Sequence, residues 1–155
     1  MKRIFLNSVV IWDGFWSHGH QLTLALARHN KIFYFENIRA MGNPYSGLME
    51  REVRPVPARV EIIRSQKKFK KINLFYLLAN QWFSLKSFWQ RRKEIDDYLS
   101  YNIFDLGVLL LAKLLGKKII FLYIDDYAVL TSWPKLTPFF RLLVRGNFLM
   151  ADLVV

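Results

Sequence analysis

Apolar residues along this chain alternate between short β-branched runs and longer stretches at helical spacing. Residues 3–11 (RIFLNSVVI) form a brief, almost wholly apolar run, the pattern of a central strand buried on both faces. Residues 18–29 (HGHQLTLALARH) follow, with Leu22, Ala25, Leu26 and His29 on one side of a predicted helix, Ser17 as its cap and Asn30 as its stop. Residues 31–36 (KIFYFE) read as a second strand, so the first 36 residues make a βαβ unit. Residues 37–52 read as a loop, from Gly42, Asn43, Pro44, Ser46 and Gly47. Pro55 and Pro57 keep the next stretch off a central strand, and 60–63 is expected to pair at an edge. A helix is predicted from 72 to 99, with a break near Asn80 or Ser87. Residues 105–111 and 118–124 are expected as parallel strands, 135–150 as a helix, and DLVV at 152–155 as the start of one more strand.

This order predicts one α/β domain: an open, mostly parallel sheet with helices on both faces. Ligands of such sheets bind beyond the carboxyl ends of the strands. Two places qualify: the loop 12–20 after the first strand, and Asp125-Asp126-Tyr127 after the strand ending at Ile124.

In the first loop, Asp13, Gly14, Ser17, His18, Gly19 and His20 are candidates for substrate binding. The glycines let backbone approach a ligand, and the helix start offers N–H groups to phosphate. The spacing is neither G-x-G-x-x-G nor a P-loop. His20 and His18 suit a general base or a hydroxyl ligand, or else simple loop and cap roles. Asp125 and Asp126 point to opposite sides of the chain, so one can face a cleft and accept a proton from a sugar hydroxyl while the other caps a turn. A strand-end turn is the plainer explanation of such a pair. With one further histidine, His29, and no cysteine, no metal site is expected.

Charge changes the picture. Between residues 51 and 93 stand twelve Lys or Arg and two acids, +10 of the chain's +11 formal charge. Inside that segment 72–85 is uncharged and aromatic, and Phe75, Leu78, Trp82, Leu85 and Trp89 fall at steps of three and four. Such a stripe either packs on the sheet as core or faces an anionic membrane surface. Lys67, Lys68, Lys70 and Lys71 before it, and Arg91, Arg92 and Lys93 after it, favour membrane contact, with Trp82 and Trp89 at the interface. No nucleic-acid motif is present, and no nucleic-acid partner is expected. The N-terminal MKRIFLNSVVIW is interrupted by Asn7 and Ser8 and reads as a strand rather than a leader. No apolar run is long enough to span a bilayer. The expected location is the cytoplasm, peripheral on the inner face of the membrane.

Taken in order, W-D-G-x-W-S-x-G-H-Q-L from Trp12, K-I-F-Y-F-E-N from Lys31, Tyr123-Ile124-Asp125-Asp126-Tyr127, and Ala151-Asp152-Leu153-Val154-Val155 resemble the N-terminal half of GT-B-fold glycosyltransferases. The resemblance is to the group-1, family-4-like kind that builds bacterial surface polysaccharides. The family's Arg-Pro at the start of the first helix has no counterpart here. The resemblance implies a Rossmann-like acceptor-binding domain over 1–155, ending before a second domain that binds the nucleotide-sugar donor. It implies a sugar-transferring enzyme that needs no metal or cofactor beyond that co-substrate. Its acceptor would be a polysaccharide or lipid-linked saccharide. Asp125, Asp126 and His20 would then be the catalytic candidates, and Asp13, Gly14, Ser17, His18, Gly19 and Tyr127 would line the cleft. Alone, the chain is expected to be inactive. The competing expectations are the acceptor subunit of a split transferase and a basic peripheral-membrane module without chemistry.

Overall fold

The computed structural model describes residues 1–8, 12, 18–36, 39–40, 55–65, 68–69, 74–123 and 137–155. Strands β1 (Arg3–Ser8), β2 (Lys31–Glu36), β4 (Val60–Ile63), β6 (Asp97–Ser100), β7 (Lys118–Phe121) and β8 (Leu153–Val154) form one parallel sheet in the order β4-β2-β1-β6-β7-β8. Two short strands, β3 (Arg39–Ala40) and β5 (Lys68–Phe69), pair in a separate parallel ladder. The helices are α1 (His18–Ala27), α2 (Leu74–Arg91), α3 (Leu106–Leu114) and α4 (Thr137–Met150). This is the expected Rossmann-like architecture, and β4 is the expected edge strand.

The pleat of β1 divides the core. Ile4 and Leu6 point to the side of α1, into a cluster with Ile32, Tyr34, Leu99 and the half-buried Leu22 and Leu26. Phe5 points to the other side, where α2 and α3 add Phe88, Val108 and Leu109. Its ring stacks at 5.9 Å on both Phe35 and Tyr98 and meets Phe88 edge-on at 5.4 Å. A one-residue slip of β1 would exchange these two sets, so burial on both faces pins the register.

Three expectations are corrected. Residues 105–111 are not a strand: α3 covers Leu106–Leu114, with Val108, Leu109 and Ala112 buried. The helix is apolar nearly all round, its inner side packed on the sheet between α2 and α4 and its outer side carrying the exposed Leu110 and Leu114, so its sequence lost the 3.6-residue signature and imitated a buried strand. Gly116, at φ 65°, ends it in a Schellman turn: the Gly116 N–H donates to the Lys113 carbonyl (3.0 Å) and the Lys117 N–H to that of Ala112 (2.9 Å). The predicted helix over 72–99 stops at Arg91, and the fourth strand of the sheet, β6, begins inside its expected range. The change begins where the Asp96 N–H turns from the helix to donate to the Arg3 carbonyl at 2.8 Å. Nor does α2 break at Asn80 or Ser87, which are instead buried on its inner face beside Ser84.

In α1 the buried positions are Gly19, His20, Thr23 and Ala27; Ala25 and His29 are exposed. The inward polar residues are satisfied locally, Thr23 Oγ1 donating to the Gly19 carbonyl at 2.6 Å. Asn30 ends the helix as expected, its N–H and its Nδ2 both donating to the Leu26 carbonyl at 3.0 Å.

Asp152, in the terminal A-D-L-V-V segment, accepts from Lys113 Nζ (2.6 Å) and from the Ile119 N–H (2.8 Å). Those bonds, the first above all, hold its carboxyl below the ordinary range. They also fasten α3 and the start of β7 to the β8 approach, on the sheet's amino edge.

Candidate functional site

Strand order reverses between β1 and β6: the chain runs from β1 outward through β2 to β4, then returns to β6 and runs the other way to β8. The carboxyl ends at that reversal are Ser8 and Ser100. A crevice for ligand opens at this point in parallel sheets because the neighbouring connections leave toward opposite faces. Two polar clusters stand there, one under each face.

On the α2–α3 side, Asn7, Tyr98, Ser84 and Asp105 meet, all of them buried. The Tyr98 hydroxyl and Asn7 Nδ2 both donate to Asp105 Oδ2, and Ser84 Oγ donates to Oδ1 at 3.2 Å. Asp105 occupies the N-cap position of α3 but makes no side-chain cap bond; its carboxyl turns inward instead. Burial pushes that carboxyl up to about 7, against the three donors that pull it down. The Tyr98 hydroxyl is driven well above its usual value, by burial first and by the Asp105 charge second. The cluster joins four elements: β1, β6, α2 and the start of α3.

On the α1 side, Glu36 ends β2, almost fully buried. It accepts the Trp12 N–H at 2.7 Å and pairs with Arg64 Nε at 3.3 Å. The Tyr34 hydroxyl donates to Ser8 Oγ at 2.8 Å, and burial raises its pKa. His20 is enclosed, its ring 5.3 Å from that of Trp12 and 5.9 Å from that of Tyr34. Its Nε2 lies 3.2 Å from the Trp12 carbonyl. A carbonyl only accepts, so that nitrogen is the protonated one. Trp12, within the connection from β1 to α1, is thus tied to Glu36 of β2 and to His20 of α1.

Asp13, Gly14, Ser17, Asp125, Asp126 and Tyr127 lie outside the described residues, as do Lys67, Lys70 and Lys71. His18 opens α1 and Lys68 opens β5; Gly19 is buried in the first turn of α1. The parallel strands β1 and β7 end at the same edge of the sheet, at Ser8 and Phe121, and 13–17 and 124–127 follow them in the sequence. Sequence reading passed over Asn7, Glu36, Tyr98, Ser84 and Asp105. The available signal was polar residues, Asn7-Ser8 and Glu36, closing otherwise apolar central strands.

The aromatic stripe does not pack as core. Phe75, Leu78, Trp82 and Trp89 face away from the sheet, Phe75 76% and Trp82 70% exposed; only Leu85 turns inward. Arg92 lies over the Trp89 ring at 3.9 Å, and Lys93 is exposed. Arg91 is engaged elsewhere, bonding Glu61 at 2.8 Å. Among the described residues no helix is long and apolar enough to cross a membrane.

No protein-family model matches this sequence, and no curated protein does. Solved structures do. The sucrose-phosphate synthase of Thermosynechococcus elongatus matches with a TM-score of 0.69 and 14% identity, over 99% of this chain and 42% of its own. Acinetobacter baumannii MurG matches at 0.47 and 14%, over 99% of this chain and 40% of its own. Phytolacca americana UGT2, complexed with UDP-2fluoro-glucose and pterostilbene, matches at 0.47 and 10%, over 83% and 32%. The chain therefore spans less than half the length of these proteins. The first match shows the fold alone, a Rossmann-like α/β domain.

Proposed function

We propose that this chain is the acceptor-binding half of a glycosyltransferase, moving a sugar from a nucleotide-sugar to a polysaccharide or lipid-linked acceptor at a membrane surface. The observation that carries the reading is the shared carboxyl edge of β1 and β7, the strands that the β1–α1 connection and the Asp125-Asp126 segment follow in the sequence, in a fold matched across 99% of the chain by one glycosyltransferase.

In this reading Asp126 or Asp125 accepts the proton of an acceptor hydroxyl as its oxygen bonds the anomeric carbon and the nucleoside diphosphate departs. The neighbouring carboxylate caps the turn. Asp13, Gly14, Ser17, His18, Gly19 and Tyr127 line the cleft. His20 holds the loop through the Trp12 carbonyl, which suits positioning better than proton abstraction. A second Rossmann-like domain or subunit binds the donor, and no metal is required. The enzyme works in the cytoplasm on the inner face of the membrane, held there by the α2 stripe together with Lys67, Lys68, Lys70, Lys71, Arg92 and Lys93.

Amide hydrogen exchange tests acceptor binding. Lipid-linked saccharides extracted from membranes should slow exchange in 13–20 and 124–127. Protection confined to other segments, or none with any saccharide, removes the proposal. The exposed aromatic stripe by itself would also suit a binding module without chemistry; in that case alanine at Asp125 and Asp126 would leave its one activity, vesicle binding, unchanged.

A further inference from the structure

The three helices on one face of the sheet share a property that the aromatic stripe of α2 only begins. Leu85 of α2 meets α3 at Gly107, where an added Cβ would lie 3.3 Å from it, and Leu106 of α3 meets α4 at Gly146, at 3.4 Å. The glycines let the helices close into one layer. Its inner surface is core. Its outer surface continues from the α2 stripe through Leu110 and Leu114 of α3 to Phe139, Leu142 and Leu149 of α4, all more than half exposed. On each helix these positions recur at three, four or seven residues, so each presents one apolar line outward.

The charges on this layer have one sign. None of the three helices contains an Asp or Glu; of their cations Arg91 pairs with Glu61 and Lys113 with Asp152, so Lys86, Arg141 and Arg145 supply the charge. Asp105, at the head of α3, is buried in the polar cluster. The opposite face of the sheet differs: α1 exposes one large apolar residue, Leu24, and that only 37%.

We propose that the whole outer surface of the α2–α3–α4 layer, not α2 alone, is a docking face for an anionic lipid surface. This rests on the membrane reading above and extends it to α3 and α4. A bilayer interface takes apolar and aromatic side chains at its acyl boundary and cations at its headgroups. A second copy would bring two cationic surfaces together, and a nucleic acid would leave the leucine lines of α3 and α4 in water. Lipid accepts both the apolar lines and the charge.

The test is vesicle co-sedimentation of the full chain with phosphatidylcholine vesicles, with and without phosphatidylglycerol, across a salt series. Wild type should bind the phosphatidylglycerol vesicles and lose binding as salt rises. Arg141→Glu with Arg145→Glu, both exposed, should weaken that binding about tenfold or more, taking on the order of 1 kcal/mol per basic residue. Leu142→Ser with Leu149→Ser should weaken it too, with an unchanged circular dichroism spectrum. If these α4 variants bind like wild type while Trp82→Ser with Trp89→Ser does not, the extension is wrong and the α2 reading stands. If wild type ignores both vesicles, or binds them alike at every salt, the membrane reading itself fails. Light scattering showing a dimer that the α4 variants dissolve would make the occupant a second copy and overturn the proposal.

Discussion

Asp105→Ala should cost the fold about 2–4 kcal/mol, because Asn7, Ser84 and Tyr98 would lose their common acceptor in a buried site. The pH dependence is more diagnostic. The folded carboxyl holds its proton up to about 7, against 3.8 as its ordinary value. Between those limits the folded chain binds the proton that the unfolded chain has released. The group's contribution is therefore fully present below about 3.8 and is lost as pH rises toward 7, by roughly 4 kcal/mol in all. Asp105→Asn cannot titrate, so its stability should lack this fall. Asp96 and Asp152 have lowered values, the first held by Arg3 and the second by Lys113. Their contributions fade only as pH drops below the ordinary carboxylate range. Comparing the two proteins removes whatever the histidines add. Urea unfolding from about pH 5 to about pH 8, followed by tryptophan fluorescence, gives the difference. Parallel curves for wild type and Asp105→Asn would show that the cluster does not hold the proton.

Under the proposed function, alanine at whichever of Asp125 and Asp126 meets the acceptor should cut sugar transfer by the chain joined to its donor half by roughly 10²–10⁴-fold, the usual worth of a positioned general base. Alanine at the other should act mainly on stability, through the turn. Vesicle binding should survive both changes, since the helices of the proposed docking face carry neither residue. Rates within a few-fold of wild type for both variants would take the chemistry away from this pair. Loss of vesicle binding in either would mean that the cleft and the docking face are not separate.

The strands buried on both faces were legible because apolar, β-branched runs such as RIFL and KIFYFE leave little choice. The edge strand was legible because Pro55 and Pro57 keep the chain from a central position. The sheet therefore came through with its order of elements largely intact. What escaped notice has physical reasons. DYLS at 97–100 is only four residues long and begins with an acid, Asp97, which is buried against Lys2 Nζ at 2.7 Å. A partner supplied from the other end of the chain cannot be read locally. LGVLLLAKL has no polar side, since leucines stand on its outer side (Leu110, Leu114) as well as its inner one. Among the buried polar residues, Asn80 and Ser87 looked like a helix break although both lie on the inner face of α2, and His20 looked like a catalytic candidate although its Nε2 meets the Trp12 carbonyl in the adjoining loop. The stripe of α2 was correct in its spacing, but spacing cannot tell an inward face from an outward one. Its orientation follows from Tyr76, Asn80, Ser84 and Phe88 taking the inner side.

The most direct test of the central claim is sugar transfer itself. Residues 1–155 would be incubated with membranes and labelled nucleotide-sugars, alone and then together with a Rossmann-like donor domain. We expect no label in saccharide or lipid from the chain alone and incorporation when the donor domain is supplied. Transfer by these 155 residues unaided would contradict the account of an acceptor half.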